Sequence, residues 1–169
     1  MMNKDIKLRP VLKDEYNQVR LLAQTIWPVC YKNILSVEQI DYMMDMMYTN
    51  EVISKEIENG VYYYFVKVDN QIAGYVSWGP WKSAPFTAKL HKLYLLPQMQ
   101  GQGIGNIVIS LVKQVVKDAN YRRLRLNVNR ENSNAIKCYS NNNFTMVQLE
   151  NNDIGNGFYM TDYVMESRV

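Results

Sequence analysis

The spacing of apolar positions changes twice along the chain, and each change marks a different kind of element. Residues 6–11, IKLRPV, alternate as a strand does, and Pro10 lacks the N–H of an inner strand, so a short edge strand is expected. From Lys13 to Thr25 the helical period takes over, with Val19, Leu21, Leu22 and Ile26 on one broad face. Pro28 predicts a stop near Trp27, because the residue before a proline is pushed out of the helical region. SVEQIDYMMDMMY opens on Ser36 with Gln39 at capping-box spacing, which predicts a second helix. NEVISKEIENG predicts a third, with Asn50 as N-cap and Gly60 as its stop.

The period then drops to two. VYYYFVKV (61–68) and IAGYVSW (72–78) flank the pair Asp69-Asn70, a hairpin pattern, and Ala88 to Leu96 form a third strand ended by Pro97. Helical spacing returns in NIVISLVKQVVKDA, where Ile104, Val108, Leu111 and Val115 make one stripe and Asn120 suits a left-handed C-terminal cap. RRLRLNVN is the next strand, and SNAIKCYSNNN a short helix beginning near Asn132 or Ser133. TMVQLE, a turn NNDIGNG, and FYMTDYVMES read as a closing hairpin. The order is β-ααα-βββ-α-β-α-ββ, a single α+β or mixed α/β domain over residues 1–169.

Composition narrows the function classes. The chain has 169 residues, 47% hydrophobic and 21% charged, which suits one globular domain with its own core. The formal net charge of +3 comes without a block of like charges, and Arg122, Arg123 and Arg125 alternate with Leu124 and Leu126 as on a half-exposed strand, so no nucleic-acid partner is expected. Cys30 and Cys138 stand far apart without a CxxC, and His91 is the single histidine, so neither a disulfide framework nor a metal site is expected. The N-terminal MMNKDIKLRP has no apolar core, and no stretch approaches the ~20 apolar residues of a membrane span, so a cytoplasmic protein is expected.

The segment QMQGQGIGN places Gly101, Gly103 and Gly105 in front of the most periodic helix. Glycine there gives up backbone entropy and packing, so the bare backbone has a use. No Lys-Ser or Lys-Thr follows, which excludes a P-loop, and Asn106 stands where a dinucleotide fingerprint needs its third glycine. The amides of residues 101 to 106, at a helix N-terminus, suit a pyrophosphate bound without metal.

LYLLPQMQGQGIGN followed by LNVNRENSNAIKCYSNNNF resembles the acetyl-CoA-binding half of the GNAT N-acetyltransferases. The family signature Gln/Arg-x-x-Gly-x-Gly/Ala falls on Gln100, Gly103 and Gly105, and its Asn-x-x-Ala-x-x-x-Tyr on Asn132, Ala135 and Tyr139. Phe144 matches the family's Gly-Phe ending with Asn143 in place of the glycine, and asparagine also tolerates the left-handed region. The resemblance covers Ala88 to Phe144. IAGYVSW is similar to the family's third strand, and GNGFYMTDYVM to the last hairpin of members acting on small amines.

The resemblance implies a mixed central sheet of about seven strands flanked by helices. It also implies transfer of an acetyl group from acetyl-CoA to a primary amine of a polyamine, amino acid or peptide by direct attack. The rival is an acyl-CoA-binding module of the same fold without turnover. Gln100, Gly101, Gln102, Gly103, Ile104, Gly105 and Asn106 would hold the pyrophosphate, and the main chain of Leu93, Tyr94 and Leu95 the pantetheine arm. The Leu95 amide would polarise the acetyl carbonyl, and Tyr139 would protonate the leaving thiolate. Asn132 and Ala135 complete the cofactor set, Asn132 as a contact and as a helix N-cap.

The glutamate that many members use as base, two residues before His91, is Lys89 in this chain. His91 is a substitute, with water or an acidic residue of the helix 1–2 region as alternatives. Trp27, Tyr31 and Trp81 are candidates for an aromatic wall facing a cationic amine, or in the case of Trp27 and Tyr31 for sealing the first helix to the sheet. Glu38, Asp41 and Asp45 give the second helix an acidic side. A two-fold homodimer is common in the family.

Overall fold

In the computed structural model, which describes residues 4–169, seven strands form one sheet in the order β1-β2-β3-β4-β5-β7-β6. The strands are β1 (Ile6–Pro10), β2 (Tyr62–Val68), β3 (Gln71–Pro80), β4 (Thr87–Leu95), β5 (Arg123–Asn129), β6 (Thr145–Gly155) and β7 (Phe158–Arg168). Every neighbouring pair is antiparallel except β4 and β5. Helices α1 (Tyr16–Cys30), α2 (Val37–Met47) and α3 (Asn50–Glu58) cover one face, burying Ile26, Trp27, Tyr48 and Ile53 against Tyr63, Phe65 and Tyr75. Helix α4 (Ile104–Asp118) and helix α5 (Ser133–Asn141) cover the other, over Val66, Val76, Leu90, Leu124 and Leu126. No helix among the described residues is long and apolar enough to cross a membrane.

The local signals place most elements. Asp69 and Asn70 turn β2 into β3 with φ of 48° and 67°, the left-handed pair that a two-residue hairpin needs. Ser36 caps α2, its Oγ accepting from Gln39 N at 3.1 Å. The Gln39 side chain leaves the capping box and donates to Tyr159 O at 2.8 Å, tying α2 to β7.

Four expectations shift. Helix α1 runs through Pro28 to Cys30. Trp27, 1% exposed and packed on Tyr31, Tyr48 and Tyr94, holds the last turn helical against the local proline bias. Thr49 rather than Asn50 caps α3, because its Oγ1 reaches Val52 N at 3.2 Å. The buried stripe of α4 is Ile104, Val108, Ile109, Val112 and Val116, with Leu111 and Val115 on its flank. The closing hairpin is longer than the turn residues suggest, since NNDIG continues β6 and only Asn156 and Gly157 turn, at φ 55° and 77°.

Two irregularities in β4 open the sheet. Ser77 pairs with Lys92 while Trp78 pairs with Leu90, so His91 is an extra, bulged residue. The bulge shifts the alternation by one, keeping Ala88 and Leu90 on the same side as Leu93 and Leu95. Parallel pairing with β5 covers only Thr87–Leu90 against Arg123–Leu126. Beyond Leu90 the two strands part, and the unpaired inner edges of His91–Leu95 and Asn127–Asn129 face a gap.

Candidate active site

The gap widens into a cleft of about 1150 Å³ whose lining comes from both faces of the sheet. On the side of α4 and α5 it is lined by Gln100, Gly101, Gly103, Gly105, Asn106, Asn132, Ala135, Cys138 and Tyr139. On the other side stand Trp27, Tyr31, Met43, Glu56, Glu150 and Asp162, and the β4 residues Lys89 to Leu95 run between the two sides along the open edge.

The three glycines turn out to do two jobs. Gly101 and Gly103 have φ of 71° and 76°, a conformation L-residues adopt at a cost, and a Cβ on either would meet nothing within 4 Å, so their bare faces look into open space. Gly105 is helical, and its Cβ would touch Cys138 Sγ at 3.4 Å, so it lets α4 and α5 approach each other. Gly103 is the N-cap of α4 without any side-chain hydrogen bond, which leaves the first amides of this 15-residue helix free for an anion. Gln100 braces the loop from behind, its Nε2 donating to Leu95 O at 2.9 Å. Gln102 is turned away from the cleft, bonded to Gln98 O at 2.6 Å, and Ile104 is core at 1% exposure. Asn106 ties α4 to α5, its Oδ1 accepting from Asn142 Nδ2 at 2.7 Å. These residues fit a pyrophosphate held by main-chain amides, and the open edge of β4 fits an extended arm.

Asn132 is the N-cap of α5, Oδ1 accepting from Ala135 N at 3.3 Å, and its amide group also faces Cys30 Sγ across the cleft at 3.9 Å. Tyr139 lies two turns on along the same face. Its ring packs edge-on against Phe144 at 5.6 Å, and burial pushes the phenol pKa up, so it keeps its proton at neutral pH.

The opposite wall is aromatic and charged. Trp27, Tyr31, Tyr48, Tyr75 and Tyr94 pack together with centroids 5.0 to 6.4 Å apart. Their hydroxyls pair off, Tyr31 with Tyr94 at 2.8 Å and Tyr48 with Tyr75 at 2.6 Å. Trp27 and Tyr31 line the cleft and also fasten α1 to the sheet. Trp81 is not among the lining residues; its ring lies between Lys89 Nζ at 5.0 Å and Arg125 Cζ at 5.6 Å. Glu38 and Asp41 are exposed on α2, and Asp45 pairs with Arg20 at 2.6 Å.

Lys92 is 3% exposed, and its ammonium is held by one carboxylate and two aromatic rings. Its Nζ donates to Glu56 Oε2 at 3.0 Å and stands 5.5 and 5.2 Å from the rings of Tyr48 and Tyr63. Desolvation pulls the Lys92 pKa down and Glu56 pulls it back up. Tyr63 OH donates to the same Glu56 oxygen. His91 is pushed down to about 4, by burial first and then by Lys92 and Lys89, so the imidazole is neutral throughout the physiological range. Its buried Nε2 has no hydrogen-bond partner in the described protein.

Three carboxylates of the cleft, Glu56, Glu150 and Asp162, have no local sequence signature. Glu150 and Asp162 are brought together by the β6–β7 register, which sets them opposite each other, while Asn127 of β5 donates to Glu150 Oε2 at 2.8 Å and to Asp162 Oδ2 at 3.4 Å. Only the closing hairpin itself was visible in the sequence.

The sequence profile of the Acetyltransferase (GNAT) family matches residues 19–144, which spans the glycine loop, Asn132 and Tyr139. The chain belongs to the GNAT family. As a GNAT acetyltransferase it takes acetyl-CoA as its donor. It is 22% identical to the spermidine N(1)-acetyltransferase of Thermoplasma acidophilum over 153 residues, 88% of this chain and 93% of the relative. Its fold is similar to the PaiA N-acetyltransferase of the same organism, solved in complex with coenzyme A, with a TM-score of 0.80, 22% identity, and 98% and 99% of the two chains covered. The spermidine/spermine N-acetyltransferase SpeG of Vibrio cholerae is similar at a TM-score of 0.70 and 19% identity, over 96% of this chain and 93% of that one.

Proposed function

We propose that the protein acetylates a primary amine of a small aliphatic polyamine, by direct attack on acetyl-CoA. The observation that carries this reading is the parted seam between β4 and β5, which joins an amide-lined glycine loop on one face to a carboxylate-bearing recess on the other. A polyamine matches Glu150 and Asp162, which line that recess as a pair on adjacent strands. The named activity of the Thermoplasma relative, on spermidine, agrees with it.

Bound acetyl-CoA would supply the activated acetyl group as a thioester. The amides following Gly101 and Gly103 hold the pyrophosphate, and the free edge of Leu93 to Leu95 aligns the pantetheine arm. The Leu95 amide, on the open edge of β4, would stabilise the charge that develops on the acetyl oxygen. Tyr139, protonated because it is buried, donates to the departing sulfur. The wall of Trp27 and Tyr31 keeps water from the amine and offers ring faces to its neighbouring cation.

The test mixes the full chain with acetyl-CoA and a panel of spermidine, amino acids and short peptides, and follows the free thiol. Thiol release is expected with spermidine above the other amines. Release with amino acids alone would move the acceptor class, and none with any amine would overturn the proposal.

A further inference from the structure

We propose that Asp162 accepts the proton of the acceptor's ammonium group, within a charge setting fixed by Glu150, Asn127 and Lys89. The inference rests on the acetyl-transfer reading above and adds to it the group that makes the nitrogen nucleophilic.

An aliphatic amine reaches the site as an ammonium ion, so a proton must leave before the nitrogen can attack. Four groups in the cleft are worth comparing. Lys89 lines the cleft from β4, and as a cation it takes no proton. His91 has its proton affinity pushed down to about 4 by burial and two lysines, which makes it a weak acceptor. Glu56 is already engaged by Lys92 and by Tyr63 OH. Glu150 accepts from Asn127 at 2.8 Å and from Asn152 Nδ2 at 3.3 Å.

Asp162 differs from all of these. It is 3% exposed and lines the cleft, and among the described residues its only side-chain hydrogen bond is the long 3.4 Å contact from Asn127 Nδ2. Backbone register puts it opposite Asn129 on β5 and Glu150 on β6. A buried carboxylate with one long donor has little to stabilise its ionised form, so its affinity for a proton rises. Burial is the main cause of that rise and Glu150 adds to it, while Asn127 and Lys89 oppose it. A base whose pKa lies nearer the working pH than an ordinary carboxylate's transfers protons more effectively.

The step balances without another reactant. The N–H bonding pair stays on nitrogen as its proton passes to an Asp162 oxygen. That pair then forms the bond to the acetyl carbon, the C–S bond breaks with its electrons left on sulfur, Tyr139 donates the proton that makes the thiol, and the second proton of the attacking nitrogen restores the Tyr139 hydroxyl as the amide forms. Asp162 gives its proton to water when the product leaves.

The experiment measures kcat/KM for the best amine of the panel between about pH 5 and pH 9 in the full chain and in Asp162→Asn and His91→Asn. Asp162→Asn is expected to lower kcat about 10²–10⁴-fold and to remove the ascending limb, with CoA affinity unchanged. His91→Asn is expected to keep that limb. Carbon-13 NMR titration of the Asp162 carboxyl in the unaltered protein is expected to fall above the ordinary ~3.9 of an aspartate, whether or not the variant folds. A limb retained in Asp162→Asn, a limb lost in His91→Asn alone, or an ordinary titration would overturn the proposal. An amine panel with no turnover beside a raised Asp162 titration would defeat the acetyl-transfer reading and leave the carboxylate's unusual state standing.

Discussion

The two halves of the cleft are built on different principles. On the side of α4 and α5, the working groups are main-chain amides displayed by Gly101, Gly103 and the start of α4, within one short run of sequence. On the other side they are side chains, Glu56 from α3, Lys89 and Lys92 from β4, Asn127 from β5, Glu150 from β6 and Asp162 from β7, gathered by the sheet. A backbone site needs a particular local conformation and so leaves a compact motif. A side-chain site needs only that distant strands meet, and its members can be read off only after the pairing is known.

Tyr139 stands at the seam between the halves, and changing it should affect neither half's binding. Tyr139→Phe removes a hydroxyl and keeps the ring against Phe144, so kcat is expected to drop about 10²–10⁴-fold, with KM for the amine and CoA affinity near their original values. Equal losses in kcat and in CoA affinity would mean that the tyrosine belongs to the cofactor half alone. Steady-state kinetics and calorimetry with CoA distinguish the two.

The charged half should respond to pH, and the amide half should not. The His91 pKa is about 4 in the folded protein and ~6.5 in the unfolded chain, so the unfolded state binds the extra proton between those values. Stability conferred by the neutral imidazole is therefore fully present above the unfolded pKa and lost as pH falls from ~6.5 toward 4, on the order of 3 kcal/mol in all. Urea denaturation in that window should show a shallower pH slope for His91→Asn than for the unaltered protein. Identical slopes would mean that the bulge leaves His91 as accessible as it is in the unfolded chain.

The smallest effect tests the amide half. Gly103→Val forces a β-branched residue to φ near 76°, a strain of about 1–2 kcal/mol, with no clash because the Cβ would face open space. CoA affinity should fall roughly tenfold, matching that strain, while the pH dependence of kcat is retained. A change in the pH profile instead would show that the two halves communicate.

The same distinction explains how much could be read from the sequence. Element order, the Asp69-Asn70 hairpin and the Ser36 cap are set by neighbours in the chain, and so were the glycine loop, Asn132 and Tyr139. Pro28 misled because the local bias against helix at Trp27 is weaker than the packing of that indole on three tyrosines, which no window of sequence displays. Trp81 was grouped with Trp27 and Tyr31 by residue type, yet its position is decided by Lys89 and Arg125 on two parallel strands. Glu150 and Asp162 were invisible for the same reason, since their meeting depends on the register of β5, β6 and β7.

The aromatic wall also makes the protein its own optical probe. Trp27 is sealed among tyrosines within 5.6 Å and yet borders the cleft, so its emission should be blue-shifted and fed by energy transfer from Tyr31, Tyr48 and Tyr94. A ligand entering the seam changes the polarisability beside one indole while Trp78, on the opposite face, keeps its surroundings. Occupancy of the site can thus be followed by light, without a label and without turnover.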